Sequence, residues 1–175
     1  MGSTVELTTE STIYMQITYL GNCCFKLKTK DVSLLTDPAN PKTVGFTIPK
    51  TEADIVTVSQ HEPAYDDLTR LKNEPFVIDA PGEYEIKGAL VSVLPGDAGS
   101  LMFLIVMESL RISYLSHLSN LLDEKKVEEL DGVDILLVNI GSTAGLPVEK
   151  IIKLVNQIEP SVIIPMGYDD ASLKE

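Results

Sequence analysis

Short apolar runs recur along this chain, separated by polar turns or by turns that contain glycine and proline. Their lengths and their many β-branched and aromatic residues are typical of β-strands. The run at 53–58 is almost continuously apolar, which predicts a strand buried on both faces. The pattern as a whole predicts strands at 13–20, 23–27, 32–35, 53–58, 76–78, 84–94 (bent at Lys87-Gly88), 101–106, 111–115, 135–138 and 162–164.

Three segments predict helices. The clearest is 147–158, where Pro147 suits the first helical position and apolar residues recur with helical spacing. The face expected to be buried consists of Val148, Ile151, Ile152, Val155 and Ile158. Residues 121–130 predict a second helix with Asn120 as its N-cap, and 65–72 a weak short one.

The order of these elements predicts an α/β fold. A strand, the helix at 147–158 and a further strand form a βαβ unit, which implies a parallel strand pair. Strands with a few helices outside them indicate an α/β layered domain. We expect a polar leader at 1–12 and one domain at 13–175, because 175 residues suit a single core.

Charge and cysteine content narrow the classes of function. The 14 Lys and Arg against 26 Asp and Glu give a net charge of −12, which argues against nucleic-acid binding. No apolar run approaches the length of a membrane span, and the N-terminus lacks the pattern of a secretory signal. Cys23 and Cys24 are adjacent and the only cysteines, so we expect a reduced, cytoplasmic protein with thiols packed in a strand.

Four of the predicted strands are followed by segments with polar side chains. These segments begin at Asp37, Ser59, Ser116 and Pro165. Ligands of layered α/β proteins usually bind in crevices outside the carboxyl ends of strands. These four strand ends are therefore the candidate site.

Four ordered segments resemble the metallo-β-lactamase fold: MQITYLGNCCF from Met15, LTDP from Leu35, ADIVTVS from Ala53 and FVIDAPGEYEIKG from Phe76. The likeness runs over about 15–168. It is closest to the small prokaryotic metal-dependent hydrolases that resemble ascorbate-phosphate lactonases. This resemblance implies a four-layer αββα sandwich with a zinc site at one edge, where metal ions generate a hydroxide nucleophile. It also implies a C-terminus shorter than in the family.

The metal ligands that this resemblance implies are missing. The family's His-x-His-x-Asp-His motif falls on Gln60, Glu62, Ala64 and Tyr65. Shifting by one residue places His61 first, but Pro63, Tyr65 and Asp66 then follow. Other ligand positions hold Asn22, His117 and Gly167, and the ligand segment at 94–99 is shortened. The chain has two histidines where such a two-metal site uses about five.

We therefore expect a catalytically inactive member that binds no metal and needs no cofactor. It would act in binding, assembly or regulation, with an unknown protein or a small ligand as its partner. Asp37 either supports the loop, as in the family, or merely ends a strand. The candidate cleft residues are Asp37, Gln60, His61, Glu62, His117, Asn120, Gly167 and Tyr168.

Other interpretations remain open. His61 and His117 could approach each other near Glu62, Asp66 or Asp97 and bind one metal ion, giving a hydrolase of lactone or phosphoester bonds with a rearranged site. Ser59, Ser116 and Ser119 lack the surroundings of a serine nucleophile. The stretch 141–145 weakly resembles a phosphate-binding loop, but it has no Lys-Ser/Thr pair, so a plain βα loop is favoured. An uncovered sheet edge at the C-terminus would favour a homo-oligomer.

Overall fold

A computed structural model describes residues 15–45, 47–141 and 146–168. Two β-sheets form the domain. The first has five strands in the order β1-β2-β3-β4-β5, and the second has six in the order β11-β10-β9-β8-β7-β6. The predicted leader at 1–12 lies outside the described residues. So do residues 142–145, which belong to the stretch compared above with a phosphate-binding loop.

The first sheet combines a hairpin with parallel strands. Its strands are β1 (Gln16–Gly21), β2 (Cys24–Lys28), β3 (Ser33–Thr36), β4 (Ile55–Thr57) and β5 (Phe76–Ile78). The first three pair antiparallel, and β3, β4 and β5 pair parallel. The three residues of β4 are all buried, as the apolar run at 53–58 predicts. The parallel strands thus bring their carboxyl ends to one edge.

The second sheet begins as a meander and ends in parallel strands. Its strands are β6 (Gly82–Ile86), β7 (Ala89–Pro95), β8 (Leu101–Met107), β9 (Leu110–Leu115), β10 (Ile135–Asn139) and β11 (Val162–Met166). The strands β6 to β9 pair antiparallel, and β9, β10 and β11 pair parallel. The break at Lys87-Gly88 and the parallel pair across the last helix confirm the prediction.

Apolar residues of the two sheets meet face to face. The central cluster includes Phe25, Leu27 and Ile55 from the first sheet and Phe103 and Tyr114 from the second. Each of these side chains is at most 1% exposed. Burial of such apolar area is the main term that stabilises the sandwich.

The outer faces of the two sheets are covered differently. Helices α2 (Glu124–Glu129) and α3 (Val148–Ile158) pack on the second sheet through Leu130, Leu154 and Ile158. The first sheet is covered by the segment after β3, with the one-turn helix α1 (Pro41–Val44) and the buried Ile48. The α/β sandwich with two sheets inside is therefore confirmed, with a thin outer layer on one side.

Three helix predictions are wrong in detail. Residues 65–72 contain only a 3₁₀ turn at Leu68–Arg70. Helix α2 begins after Asp123, which caps it by accepting a hydrogen bond from Lys126 N, so Asn120 is not the N-cap. In α3, Pro147 is the N-cap rather than the first helical residue.

The predicted buried face of α3 is also partly wrong. The helix buries Ile151, Leu154 and Ile158, whereas Val148 is 54% and Ile152 is 55% exposed. Strand β11, at the edge of the sheet, likewise exposes Ile163. The apolar stripe of α3 is thus wider than the surface that the sheet offers it.

The edge strand β11 contains a proline, Pro165, opposite Val138. The amide of Val162 donates to Asp134 O, so alternate amides from Val162 onwards face β10. The nitrogen of Pro165 therefore faces away from the sheet, where a missing donor breaks no hydrogen bond.

No helix of the described residues has the length and apolar content to cross a membrane.

Candidate functional site

The carboxylate of Asp37 is the centre of a buried polar cluster at the strand ends. Asp37 follows β3, Ser59 follows β4, and Ser116 follows β9, so both sheets contribute. Asp37 Oδ1 accepts from Ser59 N at 2.7 Å. Its Oδ2 accepts from Ser59 Oγ and from Tyr114 Oη, each at 2.5 Å, and from Ser116 Oγ at 3.0 Å. Asp37 thus follows the last residue of β3 and also links the two sheets through its hydrogen bonds.

Burial decides the protonation of this carboxyl. Asp37 is fully buried, and burial raises its pKa to about 6, although hydrogen bonds from Ser59, Tyr114 and Ser116 lower it. Burial and the nearby Asp37 charge also raise the pKa of Cys23 to about 12, so its thiol stays protonated at neutral pH. The cluster is well built for holding the sheets together and has little room for a ligand.

A cavity of about 360 Å³ opens beside this cluster. It is lined by side chains from the loops after β4, β7 and β9 and from the end of β10. The lining residues are Gln60, Glu62, Tyr65, Asp97, Ala98, Ser116, His117, Leu118, Ser119 and Asn139. We call this cavity the His117 cleft. Among the described residues, its wall carries carboxylates, amides and hydroxyls but no Lys or Arg side chain.

His117 forms the polar wall of the cleft. Its ring packs edge-on against Tyr65, with ring centroids 4.3 Å apart. Burial lowers the pKa of the imidazole, which favours the neutral ring. Nε2 is buried and has no hydrogen-bond partner in the described part of the chain. Such a group is costly to leave unpaired, so it suits a ligand that brings its own donor or acceptor.

Glu62 and Asp97 give the cleft its negative charge. Burial raises the pKa of Tyr65, and the nearby carboxylates of Asp37 and Glu62 raise it further. Asp97 Oδ2 accepts from the amides of Ser119 and Asn120, at 3.1 and 2.8 Å, and so fixes the loop after β9. The electrostatics of the cleft therefore disfavour phosphate and other anions.

His61 lies in a second cavity rather than in the His117 cleft. This cavity, of about 440 Å³, is lined by His61, Asp79 and Ser100 among others. His61 is mostly exposed, with Nδ1 3.9 Å from Asp66 and Nε2 3.7 Å from Asp79. Gln60 lines both cavities, so they are neighbours. His61 and His117, which we considered as ligands of one metal ion, thus do not line the same cavity.

The other candidates lie around these cavities without lining them. Asp37 contacts the cleft residue Ser116, and Asn120 contacts the cleft residues Asp97 and Ser119. Gly167 follows β11, and its amide donates to Asn22 O at 2.9 Å. Tyr168 packs against Tyr19, with ring centroids 5.9 Å apart. Gln60, Glu62 and His117 are the candidates that share the cleft.

Sequence reasoning missed Asn139 and gave no role to Tyr65 or Tyr114. Asn139 is the last residue of β10, so its place at a strand end was a signal that could have found it. Tyr114 lies inside an apolar strand and looks like a core residue in the sequence. Its hydroxyl contact with Asp37 depends on a fold that joins residues 77 positions apart.

The residues present do not fit a two-metal site. The oxygens of Asp37 are already occupied by donors from Ser59, Tyr114 and Ser116. Position 167, a ligand position in the resemblance, is glycine and offers no donor side chain. Across 15–45, 47–141 and 146–168 no group of three or more His, Cys, Asp or Glu side chains is arranged to hold a metal ion.

Comparison with known proteins identifies relatives of this architecture. The family model of the β-lactamase superfamily domain matches residues 16–167. A metallo-β-lactamase superfamily structure from Thermotoga maritima is 30% identical, with a TM-score of 0.79, over 92% of this chain and 79% of that one. No curated protein sequence matches the chain.

Two more distant structures share the fold. The first, from Parabacteroides distasonis ATCC 8503, is provisionally assigned as a metal-dependent hydrolase. It is 14% identical to this chain, with a TM-score of 0.71, over 91% of this chain and 84% of that one. Igni18, a metallo hydrolase from Ignicoccus hospitalis, is also 14% identical (TM-score 0.68; 92% and 85%). At this identity the likeness concerns the fold alone. The match over 16–167, together with the two-sheet architecture, shows that this chain belongs to the β-lactamase superfamily and has the metallo-β-lactamase sandwich fold.

Proposed function

We propose that this protein is a catalytically inactive member of the superfamily that binds a small polar ligand in the His117 cleft. One observation carries the proposal: the strand ends hold a formed, polar cavity, while the side chains that the structure describes around it do not converge as metal ligands. A scaffold keeps its shape when its chemistry changes, so fold does not decide activity.

The cleft has the features of a binding site. Its volume is in the range of small-molecule pockets, and it carries a few polar groups of differing chemistry. Glu62 offers a carboxylate to a ligand that is neutral or positively charged, and the buried, unpaired Nε2 of His117 would pair with that ligand once the ring turns toward it. Two adjacent, buried thiols at Cys23 and Cys24 suit a reducing, cytoplasmic compartment.

A metal-dependent hydrolase with a rearranged site is the second candidate. The Thermotoga maritima protein is provisionally assigned as a Zn-dependent hydrolase, and Igni18 is described as a metallo hydrolase. Glu62, Asp97 and His117 line one cavity, which is the observation that favours this candidate. Against it, Asp97 Oδ2 is already occupied by the amides of Ser119 and Asn120.

Metal content distinguishes the two candidates. The full chain is loaded with Zn²⁺ or Mn²⁺, desalted and analysed for bound metal, alongside His117→Ala and, as a control from the second cavity, His61→Ala. We expect far less than one equivalent in all three proteins and no lactonase or phosphodiesterase activity. One equivalent that disappears only in His117→Ala would establish the hydrolase instead.

Ligand binding is tested separately by protein-detected NMR. Small amines, neutral polyols and inorganic phosphate are titrated into the protein while the ring signals of His117 and His61 are followed. We expect an amine or a polyol to shift His117 and leave His61 unchanged, and phosphate to shift neither. If none of the probes moves His117, or if phosphate alone does, the proposed ligand class is wrong.

A further inference from the structure

Position 167 is closed to any side chain. Gly167 has φ of +66°, a conformation that L-residues with a Cβ adopt at a cost. A Cβ built on Gly167 would lie 2.5 Å from Oδ1, 2.6 Å from Cγ and 2.7 Å from Nδ2 of Asn139. Heavy atoms do not approach so closely, so a residue with a side chain requires Asn139 to move.

Asn139 is not free to move. Its Oδ1 accepts a hydrogen bond from Gly141 N at 3.1 Å, and its Nδ2 lies 3.5 Å from Cys23 Sγ as a donor. Cys23 is fully buried, and the backbone of Asn139 pairs with Met166 in the sheet. A different rotamer would break both side-chain contacts. The amide therefore fills the space beside Gly167 with a fixed group.

Asn22 continues this connection to the cleft wall. Its carbonyl accepts from Gly167 N at 2.9 Å, and its Nδ2 donates to Ala64 O at 3.1 Å. Ala64 lies in the loop that carries Glu62 and Tyr65 into the His117 cleft. Through Asn22 and Asn139, the β1–β2 turn is joined to the ends of β10 and β11 and to this loop.

We propose that Asn139 closes position 167 by packing and, with Asn22, ties the strand ends around the cleft through hydrogen bonds. A metal ion that links loops stabilises a fold by cross-linking them. Here the side chains of Asn22 and Asn139 and the Asn22 carbonyl link the loops. A side chain restored at position 167 therefore collides with Asn139 before it could coordinate a metal ion. The inference concerns packing and holds whether or not the cleft binds a ligand.

A double-mutant cycle tests the contact. The variants are Gly167→His, Asn139→Ala and the two combined, each examined by thermal unfolding of the full chain. We expect Gly167→His to lower Tm by about 10 °C and Asn139→Ala by about 3 °C. The double variant should recover about half of the loss from Gly167→His, because Asn139→Ala removes the three atoms that crowd position 167.

Gly88 supplies the matched control. It has φ of +80° with no atom within 4 Å of a built Cβ, so Gly88→His introduces the backbone strain without the collision. It should lower Tm by only a few degrees, and adding Asn139→Ala to it should be additive. If Gly167→His does not fold, Gly167→Ala takes its place in the cycle, since its Cβ meets the same atoms.

Two results would overturn the inference. One is strict additivity of the substitutions at 139 and 167. The other is a Tm for the position 167 variant that equals that of Gly88→His. Neither depends on ligand shifts at His117 or on bound metal, so failure here is distinguishable from failure of the proposed function.

Discussion

The buried polar cluster around Asp37 (the Asp37 cluster) and the His117 cleft are adjacent, but their polar groups differ in how far they are satisfied within the protein. Both include Ser116, and both lie where strands end. Around Asp37 one backbone amide and three hydroxyl oxygens surround a single carboxylate that solvent does not reach. In the cleft, a buried imidazole nitrogen lacks a partner among the described residues, and charged side chains face a cavity. The comparison indicates which polar residues build the scaffold and which can meet a ligand.

Removing the Asp37 carboxylate tests the structural half of this comparison and should have the largest effect. Asp37→Ala leaves the amide and hydroxyl of Ser59 and the hydroxyl of Ser116 buried without their acceptor, while Tyr114 Oη keeps only Cys23 O. We expect the free energy of unfolding to fall by about 3–5 kcal/mol. Urea denaturation at pH 7 measures it, with Asp79→Ala as the control because that carboxylate is 46% exposed. A loss below about 1 kcal/mol would contradict the structural role.

The pH dependence of stability should carry the signature of Asp37. Its folded pKa of about 6 exceeds the ordinary 3.8, so between these values the folded state binds more protons than the unfolded state. The stabilisation is complete below pH 3.8 and is lost as pH rises through 6. Relative to Asp37→Asn, which does not titrate, the parent should lose about 2 kcal/mol between pH 4 and 7.

Asp54 provides a control of opposite sign for that experiment. Hydrogen bonds from Lys87 and Ser33 lower its pKa, outweighing the burial that raises it. Its contribution is therefore present above the ordinary pKa of 3.8 and is lost as pH falls. Denaturation curves of Asp54→Asn and the parent across the same pH range should diverge in the other direction. Parallel curves for Asp37→Asn and the parent would rule out the raised pKa.

Replacing His117 should have the smallest effect on stability. His117→Leu keeps an apolar contact for Tyr65 and removes a nitrogen that makes no described hydrogen bond, so we expect a change within about 1 kcal/mol at pH 7.5. Because burial lowers the pKa of this imidazole, the parent loses stability as pH falls below 6.5, and the variant should lose less. Thermal melts at pH 7.5 and 5.5 measure both. A loss as large as that of Asp37→Ala would make His117 structural.

The strands were predictable from the sequence because each depends on a local pattern. The runs at 53–58 and 101–106 are apolar enough to require burial, and β4 and β8 are found there. The Asp37 cluster was not predictable in this way. Its partners Ser59, Tyr114 and Ser116 are 22, 77 and 79 positions away, and only the folded sheets bring them together.

The helix errors have the same physical origin. The stretch before α2 looked helical, but Asp97 binds the amides of Ser119 and Asn120 and holds that stretch as a loop. Helical spacing in α3 located the apolar stripe without revealing how much of it the edge of a sheet would cover. Long-range partners, which a periodic pattern does not contain, decided both outcomes.

Pro165 has a consequence for how copies of this chain can meet. Its missing amide hydrogen is on the outward side of β11, and the next outward amide, that of Gly167, is already bonded to Asn22. An incoming strand would find few free donors along this edge, so edge-to-edge pairing of sheets from many copies is disfavoured. Any pairing of two copies through this flank would have to rest on side chains such as Ile152 and Ile163 rather than on a shared backbone ladder.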